Sequence, residues 1–207
     1  MHPTAPDFSG RHEALILPLR DEHIDATGFD PRSHYAETFW LPILGPSTLW
    51  LLRSIATRFD VEPDGFTMHL EEQSASLGIR SNGGRNNAFQ RSLHRLVGFN
   101  MGRTVDERTL EVRRVMPPLH TGQVRRLSTR LQRLHHDAME RRDTDRREDA
   151  HRAGKVAFTL LQLGDSPDLV EQQLISWGVD PGTAHGAVNE AWAAKARSDR
   201  AASIPAA

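Results

Sequence analysis

The sequence predicts a mainly α fold: a helical bundle carrying a small antiparallel β wing, followed by further C-terminal helices. Three observations carry that expectation. Phe89, Leu93, Leu96 and Val97 recur at i, i+4, i+7 and i+8, one face of a 3.6-residue period. Two short extended runs, Phe99–Val105 and Leu110–Val115, follow on either side of the polar Asp106-Glu107-Arg108-Thr109, and Pro117-Pro118 closes them. Beyond residue 152, three apolar patterns recur, two of them introduced by the helix-start pairs Ser166-Pro167 and Asp180-Pro181.

Composition narrows the classes. The 207 residues suffice for one ordinary domain plus a small second one. No 18-residue apolar run exists: the most apolar stretch, Phe39–Leu52, is broken by Pro42 and Gly45-Pro46, so no membrane span is expected. MHPTAPDFSG lacks a basic region followed by an apolar core, so no secretory signal is expected. The absence of cysteine excludes disulfides, thiolate zinc sites and a cysteine nucleophile, and fits a cytoplasmic protein. Net charge is −1, but twelve arginines against three acids give Arg80–Arg133 a local charge of +9 and leave −10 for the rest. A basic block inside a neutral chain is the electrostatic footprint of a polyanion partner.

In chain order, residues 1–30 read as an N-terminal extension of loops, with one short strand at His12–Leu19 that Pro18 marks as an edge. Asp30-Pro31 starts a short helix over Arg32–Trp40 that ends before Pro42. Gly45-Pro46-Ser47 starts a stronger helix with Leu49, Leu52, Ile55, Ala56 and Phe59 on one side. Trp40 and Trp50 are expected in the core, where large aromatics dominate. After the turn Pro63-Asp64-Gly65, alternating Phe66, Met68 and Leu70 predict a short strand leading into a helix over Leu70–Leu77, capped by Gly78. The loop Arg80–Asn86 combines glycines, Arg80 and Arg85 beside a helix start, which suits either a phosphate or a plain flexible connection. The helix 86–97 that follows shows Asn87, Gln90, Arg91 and His94 on its polar face, and Gly98 is its expected stop.

From residue 46 to 118 the order is thus helix, strand, helix, helix, hairpin, and this stretch resembles the winged helix-turn-helix superfamily. EEQSASLGI, Glu71–Ile79, matches the usual second helix with its terminal glycine. The resemblance implies a three-helix bundle with a small antiparallel sheet, a third helix in the DNA major groove and a wing on the backbone. Carried onto this sequence, helix 86–97 is the recognition helix and 101–115 the wing. Asn87, Gln90, Arg91 and His94 would then face bases, Arg80, Arg85 and Arg95 phosphates, Arg103, Arg108 and Arg113 would seat the wing, and Asn86 would join the DNA-binding set. Two departures stand against it: a longer loop between the second and third helices, and Glu71-Glu72 where a phosphate would often sit.

Beyond the wing, Thr121 is the expected cap of another helix. Its apolar seam of Leu127, Leu131, Leu134 and Ala138 either packs back on the domain or pairs with a second copy as a homodimer. His135-His136 reads as an exposed polar pair and not a metal site. The doubly charged 140–152 reads as a solvated helix or linker and divides a winged-helix domain with flanking helices, 31–139, from a small three-helix unit, 153–196. That unit is similar in pattern to ubiquitin-associated-like folds and suits a protein partner. Residues 197–207 read as a disordered tail.

No dinucleotide, Walker, zinc-protease or nucleophile-elbow motif occurs, and the eleven histidines never fall in a metal-like H-x-x-x-H pair, so no enzyme, cofactor or metal is expected. The expected function is sequence-specific binding of double-stranded DNA by a bacterial transcriptional regulator, cytoplasmic and nucleoid-associated. The alternative is a winged-helix protein-interaction module or a replication or partition accessory protein.

Overall fold

The structure, a computed structural model, describes Phe8 and residues 10–79 and 88–202. The chain divides into two compact units, Met1–His135 and His136–Ala207. It is mainly helical with one small sheet.

The first unit is built on a four-stranded mixed sheet of order β2-β1-β4-β3, in which β1 is Glu13–Pro18, β2 Phe66–His69, β3 Gly102–Thr104 and β4 Thr109–Val112. This corrects two expectations. The sheet is not a purely antiparallel wing: β1 pairs antiparallel with β2 but parallel with β4, and only β3–β4 is the expected hairpin. Nor is the N-terminal strand an edge, or residues 13–18 an appendage. Pro18 is tolerated because β2 ends its pairing at Ile16, while Leu15 and Leu19 supply the N–H groups that bond the Arg108 and Val112 carbonyls. A period of two then decides the faces: Ala14, Ile16, Phe66, Met68, Leu110 and Val112 are buried, and Glu13, Leu15, Thr67 and His69 meet solvent.

Helices cover the buried face. A short α1, Glu22–Thr27, is capped by Asp21. A π-helical turn, Ala36–Trp40, leads into α2, Leu41–Leu44, so the helix runs past the predicted stop. Pro42 is accommodated because the chain has already stepped to i→i−5 bonding, Leu41 N–H to Ala36 carbonyl. α3, Pro46–Val61, buries Leu49, Leu51, Leu52, Ile55 and Phe59. Of the two tryptophans expected inside, Trp40 is buried and donates to the Pro117 carbonyl at 3.0 Å. Trp50 is not: it lies on the other side of α3, 59 % exposed, with the Arg53 guanidinium 4.9 Å from its ring.

α4, Leu70–Ser76, ends as predicted at Gly78, which takes φ +66 while Ile79 N–H closes back on the Ser74 carbonyl. α5, Ala88–Gly98, packs Phe89, Leu93, Leu96 and Val97 inward. Its left-handed cap is Asn100 at φ 58, not Gly98: Met101 N–H reaches the Leu96 carbonyl at 2.8 Å. α6, Thr121–Val124, is capped by His120 and not by Thr121, His120 Nδ1 accepting from Gly122 N–H while Gln123 Oε1 accepts from His120 N–H.

α7, Thr129–Leu163, is one helix of 35 residues that begins in the first unit and ends in the second, and the charged 140–152 run is part of it. The His135-His136 pair is split. His136 is exposed, whereas His135 is 8 % exposed and meets the Tyr35 hydroxyl at 2.8 Å, with Phe39 edge-on to its ring. Of the predicted seam, Leu127 is buried, Leu131 half-buried and Leu134 exposed.

In the second unit the end of α7 packs with α8, Pro167–Ser176, and α9, Pro181–Ala202, around Ala157, Leu161, Val170, Leu174, Ala184 and Val188. Ser166 and Asp180 cap α8 and α9 as their Pro-containing signals predict. Residues 197–202 of the expected tail belong to α9; 203–207 lie outside the described residues.

Candidate nucleic-acid interface

α5 and the β3–β4 hairpin are consecutive, joined by Phe99–Met101. The apolar stripe of α5 faces the sheet, which leaves Arg91, His94 and Arg95 at i, i+3 and i+4 toward the outside. Arg91 is exposed and His94 half-buried. Arg80, Arg85, Asn86 and Asn87 lie outside the described residues.

Three of the predicted contacts have other work. Gln90 is 4 % exposed, on the packed side of α5, because it falls between Phe89 and Leu93 on the turn that meets the bundle. It cannot read a base from there. Arg95 donates from Nε to the Leu44 carbonyl at 2.9 Å and from Nη2 to the Ile43 carbonyl at 2.5 Å, with its guanidinium over Phe99. It therefore satisfies orphan carbonyls at the negative end of α2. Arg113 is 7 % exposed, donating to the Asn100 carbonyl at 2.9 Å and to Asp21 Oδ2 at 3.0 Å. It locks the left-handed cap of α5 to the start of α1.

The hairpin keeps two exposed arginines. Arg103 pairs with Glu111 across the strands at 2.5 Å, which holds it at the surface but half-neutralised. Arg108 is in the loop. Asp106 accepts from Arg108 N–H at 2.7 Å, a bond that holds the Asp106 carboxyl below its usual range and fixes the loop as an Asx turn. Arg11 reaches Glu107 at 2.5 Å and ties the loop to the chain before β1. The Arg108 side chain stays in solvent.

A second basic group was legible as clustered arginines but was not assigned to the site. Arg114 follows β4, Arg125 and Arg126 lie in the turn that follows α6, and Arg130 and Arg133 lie on the first turns of α7; all are exposed. Together with Arg108 they make six arginines that pair with no carboxylate among the described residues. Beside them a cleft of about 480 Å³, walled by Trp40, Phe99, Pro117, His120, Gln123 and Arg126, opens near the carboxyl end of α5. Among the described residues no group of histidines and carboxylates is placed to hold a metal ion, and no helix is long and apolar enough to cross a membrane. Compared with protein-family models, curated proteins and solved structures, the chain matches none of them.

Proposed function

We propose that the first unit binds double-stranded DNA as a winged-helix transcriptional regulator, with α5 toward the major groove and the β3–β4 hairpin on the backbone. The observation that supports this reading most is the set of six exposed arginines, none in an ion pair with a carboxylate among the described residues, on the unit that also carries the helix–helix–hairpin order. Exposed guanidinium groups without internal partners retain their full charge for phosphates, and phosphates supply most DNA affinity. In this reading Arg91 and His94 are the base-facing pair on α5, and Arg108 on the hairpin meets the backbone. Arg114, Arg125, Arg126, Arg130 and Arg133 become the backbone set. The sheet departs from the expected wing because β1 stands between β2 and β4, and the hairpin that presents Arg108 is held by β1, whose Leu15 N–H bonds the Arg108 carbonyl. The exposed Leu134 on α7 is the residue through which a homodimer seam would form.

The deciding experiment is fluorescence anisotropy of the full chain on random duplex DNA across a salt series. Affinity should fall steeply with salt, with a slope of about −4 to −6 on logarithmic axes for six phosphate contacts. No binding at low salt would reject the reading and leave the arginines as a surface for an acidic protein, the interaction-module alternative.

A further inference from the structure

The second unit holds a groove of about 840 Å³ between α7 and α9. Its α7 wall combines Arg147, His151 and Lys155 at i, i+4 and i+8 with Gly154 and Phe158. Its α9 wall is small, Gly186, Ala187, Ala191 and Ala194, and ends at Arg197.

The glycines are the informative part. Gly154 and Gly186 lie inside helices, where glycine weakens the helix relative to alanine. At Gly65 and Gly102 the chain itself supplies the reason, since a Cβ there would come within 2.7 and 2.6 Å of a neighbouring strand's carbonyl oxygen. At Gly154 and Gly186 it supplies none: a Cβ at either would meet nothing within 4 Å. Both open into the same groove. Two helix-interior glycines facing one empty channel leave room for a backbone that is not part of this unit, as small residues do wherever helices approach closely.

Charge selects the occupant. Arg147 and Lys155 on one rim and Arg197 on the other are exposed and pair with no carboxylate among the described residues. Glu190 is the one acid in the lining. The chain's own exposed helical run, 137–149, carries both signs and offers no match for a rim of this charge.

We propose that this groove docks an amphipathic helix of a partner protein, its small and apolar stripe against Gly154, Phe158 and Gly186 and its flanking carboxylates against Arg147, Lys155 and Arg197. Helix-in-groove recognition has this form: an apolar stripe supplies contact, and flanking charges supply choice of partner. The inference stands on the second unit alone and does not depend on DNA binding by the first.

The test uses the full chain and a labelled, end-capped helical peptide of about 20 residues, roughly 30 Å long, with an alanine–leucine stripe flanked by glutamates. A counterpart carries lysines in place of the glutamates. The glutamate peptide is expected to bind and the lysine peptide to bind at least about tenfold more weakly, a difference of ~1.4 kcal/mol. A Gly154→Leu/Gly186→Leu variant should melt no lower than the parent, since both side chains enter open space, yet lose at least about tenfold in peptide affinity. Should the leucines lower the melting temperature, Arg147→Glu/Lys155→Glu on the exposed rim gives the same readout without touching the floor. Failure of both peptides to bind overturns the proposal, as does undiminished binding to a folded, groove-filled variant. Sedimentation showing self-association that the leucine pair abolishes would overturn it too, by making a second copy the occupant.

Discussion

Single residues in the first unit act as ties between segments far apart in sequence. Tyr35 is the clearest case. Its hydroxyl accepts from the buried Leu119 N–H at 2.9 Å and shares a hydrogen bond with His135 Nε2 at 2.8 Å, and Phe29 stacks on its ring at 3.5 Å. Tyr35→Phe keeps the ring packing and strands the Leu119 N–H, so urea denaturation should show a loss of about 1–3 kcal/mol. Asp21 is a second tie. The Ile24 N–H first, and Arg113 second, hold its carboxyl below the ordinary range. A depressed carboxyl pKa stabilises the fold at pH values above the unfolded-state value of about 3.9. That stabilisation disappears as pH falls through the lower folded value. The stability difference between the parent and Asp21→Asn should therefore be constant from neutral pH to about 5 and shrink below about 4; a difference that grew on acidification would show the ion pair is not responsible. His135 was expected in solvent because the pattern Leu127, Leu131, Leu134 put it beside the seam; only the aromatic cluster of Phe29, Tyr35 and Phe39 makes a buried site for it.

At the scale of elements, local signals were strong where chemistry is local. Caps at Gly78, Ser166 and Asp180 sit where serine, aspartate and glycine signals placed them, since each bond closes within five residues. The hairpin was legible for the same reason. Strand neighbours were not: β1 finds β4 across some ninety residues, and no local pattern says on which side a strand will insert. The sheet also fixes which glycines matter. Gly102→Ala would place a Cβ 2.6 Å from the Glu111 carbonyl oxygen, a rigid backbone neighbour, so β3 must separate from β4. We expect a loss of about 2 kcal/mol or more in thermal or chemical unfolding; an unchanged midpoint would mean the hairpin adapts. By the same argument Gly154→Ala, in open space, should stabilise by roughly 0.5–1 kcal/mol.

For the whole molecule, charge is distributed by unit. The first unit carries six of the arginines that form no ion pair among the described residues, and the second, over residues 136–207, has more acids than bases. The exposed arginines of the first unit are the groups the proposed DNA contact would use, while the second unit carries a basic rim of its own at the α7–α9 groove. If the arginines following β4 act on phosphates, Arg126→Gln and Arg130→Gln should each weaken binding alike on all duplex sequences and reduce the salt slope by about one. Arg91→Ala should instead cost roughly 1–3 kcal/mol on a preferred site and much less on random DNA. Equal losses on both would move Arg91 to the backbone set.

What the sequence determined by itself was what depends on short range and on composition: helical periods, caps, the hairpin, the local +9 charge of residues 80–133, and the lack of cysteine chemistry. Periodicity also named the apolar faces of α3 and α5 correctly, because a stripe of leucines and phenylalanines must be buried whatever it meets. Only the tertiary structure decided which polar groups were spare. Gln90, Arg95 and Arg113 share composition and spacing with a DNA-reading face, but a glutamine beside the packed turn is buried. An arginine within reach of α2's free carbonyls caps them, and one beside Asp21 pairs with it. Arg108, Arg114, Arg125, Arg126, Arg130 and Arg133 are left exposed, with no carboxylate in ion-pair contact among the described residues. A side chain's partner depends on what the chain places within about 3 Å, and that distance is set by the packing of distant segments and not by its neighbours in sequence.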